Sequence, residues 1–278
     1  MSAPRIPLAG VIGHPVAHSR SPRLHGHWLA RHGLPGHYVP LDVAPADLPQ
    51  VLAALPRAGF VGVNVTLPHK EAALAGAASA DAAARAIGAA NTLTFLPGGG
   101  YHAQNTDAPG FLHNLDQGAP GWNTADRPAL VLGAGGAARA VLHALLARGT
   151  PRILLANRSL DRAADLAKAF GDRVETIEWE ARSSAVADAS VIVNTTSLGM
   201  SGQPPLVIDL SRAVAGVVVS DLVYTPLETD LLAQARARGL RPVDGLGMLL
   251  HQAVPGFARW FGLEPVVDEA LRRAVLGP

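Results

Sequence analysis

Between residues 129 and 148 an apolar run, Ala129-Leu130-Val131-Leu132, meets Gly133-Ala134-Gly135-Gly136-Ala137-Ala138 and then an amphipathic helical pattern. Few local sequences restrict a chain so tightly. The apolar run reads as a strand, and the glycines permit a tight turn straight into the helix. The spacing fits the dinucleotide fingerprint, with Ala138 at its last small position. Gly133 allows the turn, and Gly135 lets backbone approach a pyrophosphate. The helix opening near Gly136 offers free N–H groups and the positive end of its dipole to the phosphates.

The pattern continues downstream. Arg152–Ala156 reads as the next strand, Leu160–Phe170 as a helix, and Val191–Asn194 and Val217–Asp221 as further buried strands. A helix near Glu228–Arg238 and a short strand at Arg241–Val243 come next. The first third alternates in the same way: strand Pro7–Ile12, a helix opening at a Ser21-Pro22 cap, strand His37–Val43, a helix over Pro45–Ala58 closed by Gly59, and strand Phe60–Thr66. An Ala-rich helix follows Pro68, and Thr92–Phe95 with Tyr101–Ala103 reads as a hairpin across three glycines. Strand–helix–strand alternation implies mostly parallel sheets covered by helices. The expectation is an α/β chain of two lobes. An N-terminal α/β substrate domain (1–107 plus 245–278) accompanies a Rossmann-type, doubly wound dinucleotide-binding domain (108–244). The helical tail, Met248–Phe261 and Pro265–Leu276, returns to the first lobe.

Composition excludes other classes. The chain has 278 residues, 49% hydrophobic and only 16% charged, against about 25% charged in ordinary domains, so it has sequence for real cores and is not disordered. A formal net charge of +1 with no basic run leaves no electrostatic footprint for nucleic acid. The absence of cysteine removes disulfides, thiolate zinc sites and a Cys nucleophile. The N-terminal apolar run, broken by Pro4 and Pro7, is too short for a signal peptide, and no stretch of about 18 apolar residues is free of charge. A soluble, cytoplasmic protein without a membrane partner is expected. Six of the 11 histidines fall in the first 37 residues, but no carboxylate cluster accompanies them, and no metal is expected.

The strand Ile153–Ala156 ends at Asn157-Arg158-Ser159, with Arg162 one turn on. An NAD site places a carboxylate at that strand end for the ribose 2′-hydroxyl. Here a guanidinium stands instead, able to pair bidentately with a 2′-phosphate, which points to NADP(H). In the first lobe, hydroxyls and amides collect at element ends: Ser19-Arg20-Ser21, Asn64-Val65-Thr66, Asn91-Thr92 and Gln104-Asn105-Thr106-Asp107. All but two of the 23 basic residues are arginine, and one exception, Lys70, falls in this set. A lysine can release its proton and act as a compact acid, whereas arginine stays charged. Hydroxyls at Ser19 and Ser21 suit a carboxylate. The set therefore points to reduction of a carbonyl in a small hydroxylated carboxylate, with Lys70 as proton donor and Asp107 beside it.

These residues occur in an ordered series. Val11-Ile12-Gly13-His14-Pro15, His18-Ser19-Arg20-Ser21-Pro22, Asn64-Val65-Thr66-Leu67-Pro68-His69-Lys70-Glu71, Gly88-Ala89-Ala90-Asn91-Thr92-Leu93 and Asn105-Thr106-Asp107 come first. Gly133–Ala137, Asn157-Arg158-Ser159, Asn194–Met200, Asp221-Leu222-Val223-Tyr224 and Asp244–Leu249 with Gln252 continue it. The series resembles the shikimate dehydrogenases over nearly the whole chain. The resemblance implies NADPH-dependent reduction of 3-dehydroshikimate to shikimate, in aromatic amino-acid biosynthesis. It implies Ser19 and Ser21 on the substrate carboxylate, and Asn64, Thr66, Asn91, Asp107, Tyr224 and Gln252 around the ring, with Lys70 as acid and base. Cofactor contacts would fall on Gly133, Ala134, Gly135, Gly136, Ala137, Asn157, Arg158, Ser159, Arg162, Leu222 and Gly245, and the protein would be a homodimer. His14, His69, Gln104 and Ala108 depart from residues frequent in the family. His69, next to Lys70, is expected to alter the pH profile or the choice between shikimate and quinate. A quinate or dual quinate/shikimate dehydrogenase is the nearest alternative. A non-catalytic dinucleotide-binding regulator would not need both Lys70 and Asp107.

Overall fold

The computed structural model describes residues 6–277; the N-terminal segment weighed as a signal peptide lies partly outside them, Pro4 included. The chain divides into two compact units. One runs to Thr106 and resumes at Leu250, and the other spans Asp107–Leu249.

In the first unit, β1 (Leu8–Gly13) is buried from Ala9 onward and leads to α1 (Ser21–Arg31). Leu24, His25, Trp28 and Leu29 fall on the buried face of α1 at helical spacing. Ser21 is not the cap that Pro22 suggested: Arg20 holds that position without a side-chain bond, and Ser21 is the first helical residue. The first-turn donor is satisfied from outside the helix, because Ser19 Oγ accepts the Ser21 N–H at 3.3 Å. β2 (His37–Asp42) pairs parallel with β1. Residues 45–58 form three pieces rather than one helix: 3₁₀ turns at Pro45–Asp47 and Leu55–Ala58 flank α2 (Leu48–Ala54). Pro56 has no N–H to continue the α ladder, and Gly59 closes the segment at φ +94°.

β3 (Phe60–Val65) pairs parallel with the other side of β1. The Ala-rich stretch is also broken. α3 (Lys70–Ala75) stops at Gly76, β4 (Ser79–Ala80) joins the sheet, and Asp81 caps α4 (Ala82–Ile87) by accepting the Ala84 N–H. β5 (Thr92–Phe95) and β6 (Tyr101–Gln104) make the expected antiparallel hairpin. The sheet order is β2-β1-β3-β5-β6-β4, with β5 antiparallel to β3.

The second unit opens with α5 (Asp107–Gly118) and continues β7 (Ala129–Leu132), α6 (Gly136–Ala147), β8 (Ile153–Ala156), α7 (Leu160–Phe170) and β9 (Val174–Ile177). A short α8 (Arg182–Ala185) precedes β10 (Val191–Asn194), β11 (Val218–Asp221), α9 (Asp230–Ala237) and β12 (Arg241–Val243). β9 and α8 carry no strong sequence pattern and add to the expected elements. All neighbouring pairs are parallel, in the order β12-β11-β10-β7-β8-β9. The chain therefore starts mid-sheet, winds outward to β9, and returns to the other side of β7. That reversal between β7 and β10 is the switch point where doubly wound sheets bind ligands. Leu130, Leu132, Ile192 and Val219 on the central strands are fully buried, each stabilising by roughly 1.5–3 kcal/mol.

α10 (Leu246–Phe261) and α11 (Glu269–Leu276) follow. The indole N–H of Trp260 donates to Leu93 O at 3.2 Å, that of Trp28 donates to Val266 O, and Arg31 pairs with Asp268. The expected return of the C-terminal helices to the first sheet is found. Among the described residues no helix is long and apolar enough to cross a membrane, and no three His, Asp or Glu converge.

Candidate active site

The glycine turn sits at the switch point. Gly133 has φ +106°, and a Cβ there would lie 2.7 Å from Thr195 Oγ1 and 2.8 Å from Thr196 Cγ2. Only glycine lets β7 leave the sheet against the loop after β10. Thr195 Oγ1 in turn donates to Leu132 O at 2.7 Å. Gly135 and Gly136 are exposed, with open space where a Cβ would stand, and α6 starts at Gly135 without a side-chain cap. Its first N–H groups have no partner within the helix. Asn157 Oδ1 accepts the Ala134 N–H at 3.2 Å, joining the turn to the end of β8. Ser159 caps α7 by accepting the Arg162 N–H, and Arg158 and Arg162 are exposed just past β8. The uncapped helix start, the open backbone and a strand end without a carboxylate fit a phosphorylated dinucleotide.

A buried polar cluster shapes the loops around that turn. Asn194 Nδ2 donates to Asp221 Oδ1 at 2.9 Å and to Leu198 O, while its Oδ1 accepts the Thr196 N–H and hydroxyl. Asp221 also accepts from Val223 N–H and from Thr229 Oγ1 at 2.7 Å. Its carboxyl is fully buried, and that burial holds its pKa above the usual carboxylate value against three donors that pull it down. Leu222 and Tyr224 lie on the loop this cluster anchors. At the far end, Asn114 Nδ2 donates to Asp244 O at 2.7 Å, and a Cβ on Gly245 would run into the Leu222 carbonyl. Gly245 is therefore fixed by close backbone packing.

In the first unit the expected substrate residues are joined by hydrogen bonds. Tyr38 Oη donates to Asn64 Oδ1 at 2.7 Å, and Asn64 Nδ2 donates to Asn91 O and Thr92 Oγ1, both at 3.1 Å. Asn91 Nδ2 donates to Gln252 Oε1 at 3.1 Å, and its Oδ1 accepts the Thr106 N–H at 2.8 Å. Ser21, Asn64, Asn91 and Gln252 are buried; Ser19, Thr66 and Lys70 are half-buried. The Lys70 carbonyl accepts the Ala90 N–H at 2.9 Å, which ties the start of α3 to the residue before Asn91. The 66–70 segment is held on its other side as well, by Thr66 N–H to Ile12 O and His14 N–H to Leu67 O.

His69, expected to act on the pH profile or specificity beside Lys70, is turned away into the fold. It is buried, and its Nε2–H donates to Val43 O at 2.8 Å, because a carbonyl only accepts. Asp107 opens α5 and Tyr224 follows β11, so both belong to the second unit. Sequence reasoning passed over Tyr38, Asn114 and Thr229. Each stands beyond the recognisable motifs, and each acts by orienting a motif residue.

Two family models match the chain: the shikimate dehydrogenase substrate binding domain over residues 11–93, and shikimate / quinate 5-dehydrogenase over residues 117–201. The chain is 59% identical over 272 residues to shikimate dehydrogenase (NADP(+)) of Cereibacter sphaeroides, covering 98% of both. It is similar in structure to shikimate 5-dehydrogenase from Thermus thermophilus in complex with NADP(H) and shikimate. There the TM-score is 0.84 at 41% identity, over 96% of this chain and 99% of that one. Quinate dehydrogenase from Corynebacterium glutamicum in complex with NAD gives 0.89 at 32% identity, over 97% and 98%.

Proposed function

The chain belongs to the shikimate dehydrogenase family, and from that premise we propose that it catalyses the reversible NADPH-dependent reduction of 3-dehydroshikimate to shikimate. The observation that carries the proposal is the buried amide and hydroxyl network of the first unit, with the Lys70 carbonyl bonded to Ala90, the residue before Asn91. We assign most substrate-binding residues to the first unit and NADP(H) to the second.

When bound, NADPH supplies a hydride to the substrate carbonyl carbon. Lys70 Nζ gives a proton to the carbonyl oxygen as it becomes an alkoxide, and takes it back in the oxidation. Asp107 accepts from a ring hydroxyl. Ser19 and Ser21 hold the carboxylate, and Thr66, Asn91, Tyr224 and Gln252 meet the ring hydroxyls and carbonyl. Asn64 meets the ring as an acceptor, since its amide hydrogens already go to Asn91 O and Thr92 Oγ1. Gly133, Ala134, Gly135, Gly136 and Ala137 receive the pyrophosphate. Arg158 and Arg162 take the 2′-phosphate, and Asn157, Ser159, Leu222 and Gly245 line the nucleotide.

The likeness to an NAD-bound quinate dehydrogenase favours a second reading, oxidation of quinate. Against it stand the arginines at the end of β8. Shikimate and quinate oxidation, each with NADP+ and NAD+, decides between them: kcat/KM is expected to be highest for shikimate with NADP+, and a preference for quinate with NAD+ would overturn the proposal. Lys70→Ala is expected to lower kcat by roughly 10²–10⁴ with shikimate binding largely kept; near-normal turnover would remove Lys70 from its role. A cytoplasmic homodimer is the further assignment, supported by family membership and checked by sedimentation and cell fractionation.

A further inference from the structure

We propose that Tyr38, which has no part in the chemistry above, is a positioning residue for substrate binding: its hydroxyl locks the Asn64 amide in the orientation that accepts from the substrate ring. The proposal rests on Asn64 belonging to the substrate site.

The direction of each bond follows from donor counting. An amide oxygen only accepts, so the single Tyr38 proton is committed to Asn64 Oδ1 at 2.7 Å. The result is a one-way chain: Tyr38 O–H to Asn64 Oδ1, Asn64 N–H to Asn91 O and Thr92 Oγ1. Reversing the Asn64 amide would set its NH₂ against the Tyr38 donor and its oxygen against the Asn91 carbonyl. Two repulsive contacts would replace two bonds. The His25 ring also lies against this amide, but neither of its nitrogens makes a hydrogen bond of ordinary length and angle. The short Tyr38 bond therefore does most to hold that end.

The phenol itself is clamped. Tyr38 is buried, and the His25 ring stacks on it at 3.9 Å between centroids with 3° between planes. Trp260 lies 6.3 Å from it, and Trp28 and Phe257 pack around His25. A ring wedged in this way cannot swing its hydroxyl off Asn64. The oxygen it holds keeps one lone pair for a ligand hydroxyl, at a fixed angle.

Tyr38→Phe keeps the ring and its stacking and removes only the hydroxyl. It is expected to raise KM for shikimate about tenfold, the equivalent of about 1.4 kcal/mol. KM for NADP+ should stay unchanged and kcat should remain within about threefold, because Lys70 is outside the chain of bonds. A structural role alone would lower the melting temperature and raise both KM values together; that outcome, or an unchanged shikimate KM in the folded variant, would overturn the proposal. In an Asn64→Ala background Tyr38→Phe should add less than about twofold, since the group it orients is gone, and a further tenfold rise would show that Tyr38 acts elsewhere. If Asn64→Ala alone leaves shikimate KM unchanged, the site assignment fails and the proposal with it. An Asn64→Ala chain that does not fold leaves the decision to the KM split of Tyr38→Phe.

Discussion

Replacing Gly133 and Gly135 by alanine, one at a time, separates what the turn needs in order to fold from what it needs in order to bind. At Gly133 the backbone φ is +106°, a region that costs an L-residue roughly 1–2 kcal/mol. The new methyl would also stand 2.7 Å from Thr195 Oγ1 and 2.8 Å from Thr196 Cγ2. Thr195 cannot yield cheaply, because its hydroxyl donates to Leu132 O, so overpacking adds about 1–3 kcal/mol. The lower entropy of the unfolded alanine chain returns about 0.4–1 kcal/mol. The net expectation for Gly133→Ala is a loss of about 2–4 kcal/mol, moving the urea midpoint down by about 1–2 M. Gly135 has φ −95° and ψ −171°, an extended conformation open to any residue, with nothing near an added Cβ. Gly135→Ala should therefore not lower the urea midpoint, and the lower entropy of its unfolded chain should add about 0.4–1 kcal/mol. On the proposed cofactor site, however, its methyl would stand where the pyrophosphate approaches the backbone, and KM for NADP+ should rise tenfold or more, about 1.4 kcal/mol. Urea unfolding without cofactor, followed by circular dichroism, and steady-state KM for NADP+ measure the two effects. A Gly135→Ala protein as destabilised as Gly133→Ala, or one with unaltered NADP+ KM, would refute the reasoning.

Arg158→Ala should raise KM for NADPH about 5- to 30-fold and leave KM for NADH unchanged, the modest size reflecting an exposed guanidinium; the difference should shrink between 50 and about 300 mM salt, and an equal rise for both cofactors would contradict it. Burial pushes His25 down to about 3 from its ordinary 6.5, so as pH falls the unfolded chain takes the proton first. This part of the stability is complete above pH 6.5 and is lost as pH falls toward 3, about 2 kcal/mol of it by pH 5. Urea titrations at pH 7 and pH 5 should show His25→Phe losing less stability than the unaltered chain over that interval; an identical loss would mean His25 titrates normally. Asp221→Ala leaves the Asn194, Val223 and Thr229 donors stranded and should cost about 3 kcal/mol. Asp221→Asn, which keeps the Oδ1 acceptor for two of them, should cost less than half as much in the same unfolding assay.

How much of the molecule is legible in its sequence depends on how local each cause is. The glycine turn, the short apolar strands β7, β8 and β10 and the β5–β6 hairpin are written in consecutive residues, and each appears within a residue or two of its expected place. The breaks at Pro56 and Gly76 are harder to see because alanine-rich helical periodicity on both sides masks one residue with no N–H and one with no Cβ. β9 escapes because an edge strand buries few residues and need not alternate cleanly. In the site, residue types at motif positions are legible, but the direction of their hydrogen bonds is not. Asn64 as an acceptor, His69 turned onto Val43, and Ser19 satisfying the Ser21 N–H all depend on neighbours brought in from other elements.

The return of α10 and α11 to the first sheet bears on how the protein is made. The second unit is one continuous stretch, Asp107–Leu249, whereas the first waits for Leu250 and beyond. Gln252, the hydrogen-bond partner of Asn91, and Trp260, which bonds Leu93, belong to that late segment. A ribosome adding about 5–20 residues per second needs on the order of ten seconds to travel from Thr106 to Leu250. By the end of that interval every residue of the second unit has been added, while Asn91 and Leu93 in the first sheet still lack their partners. The stretch for the second unit is thus complete before that of the first, and a chain ending before residue 250 would lack both Gln252 and Trp260.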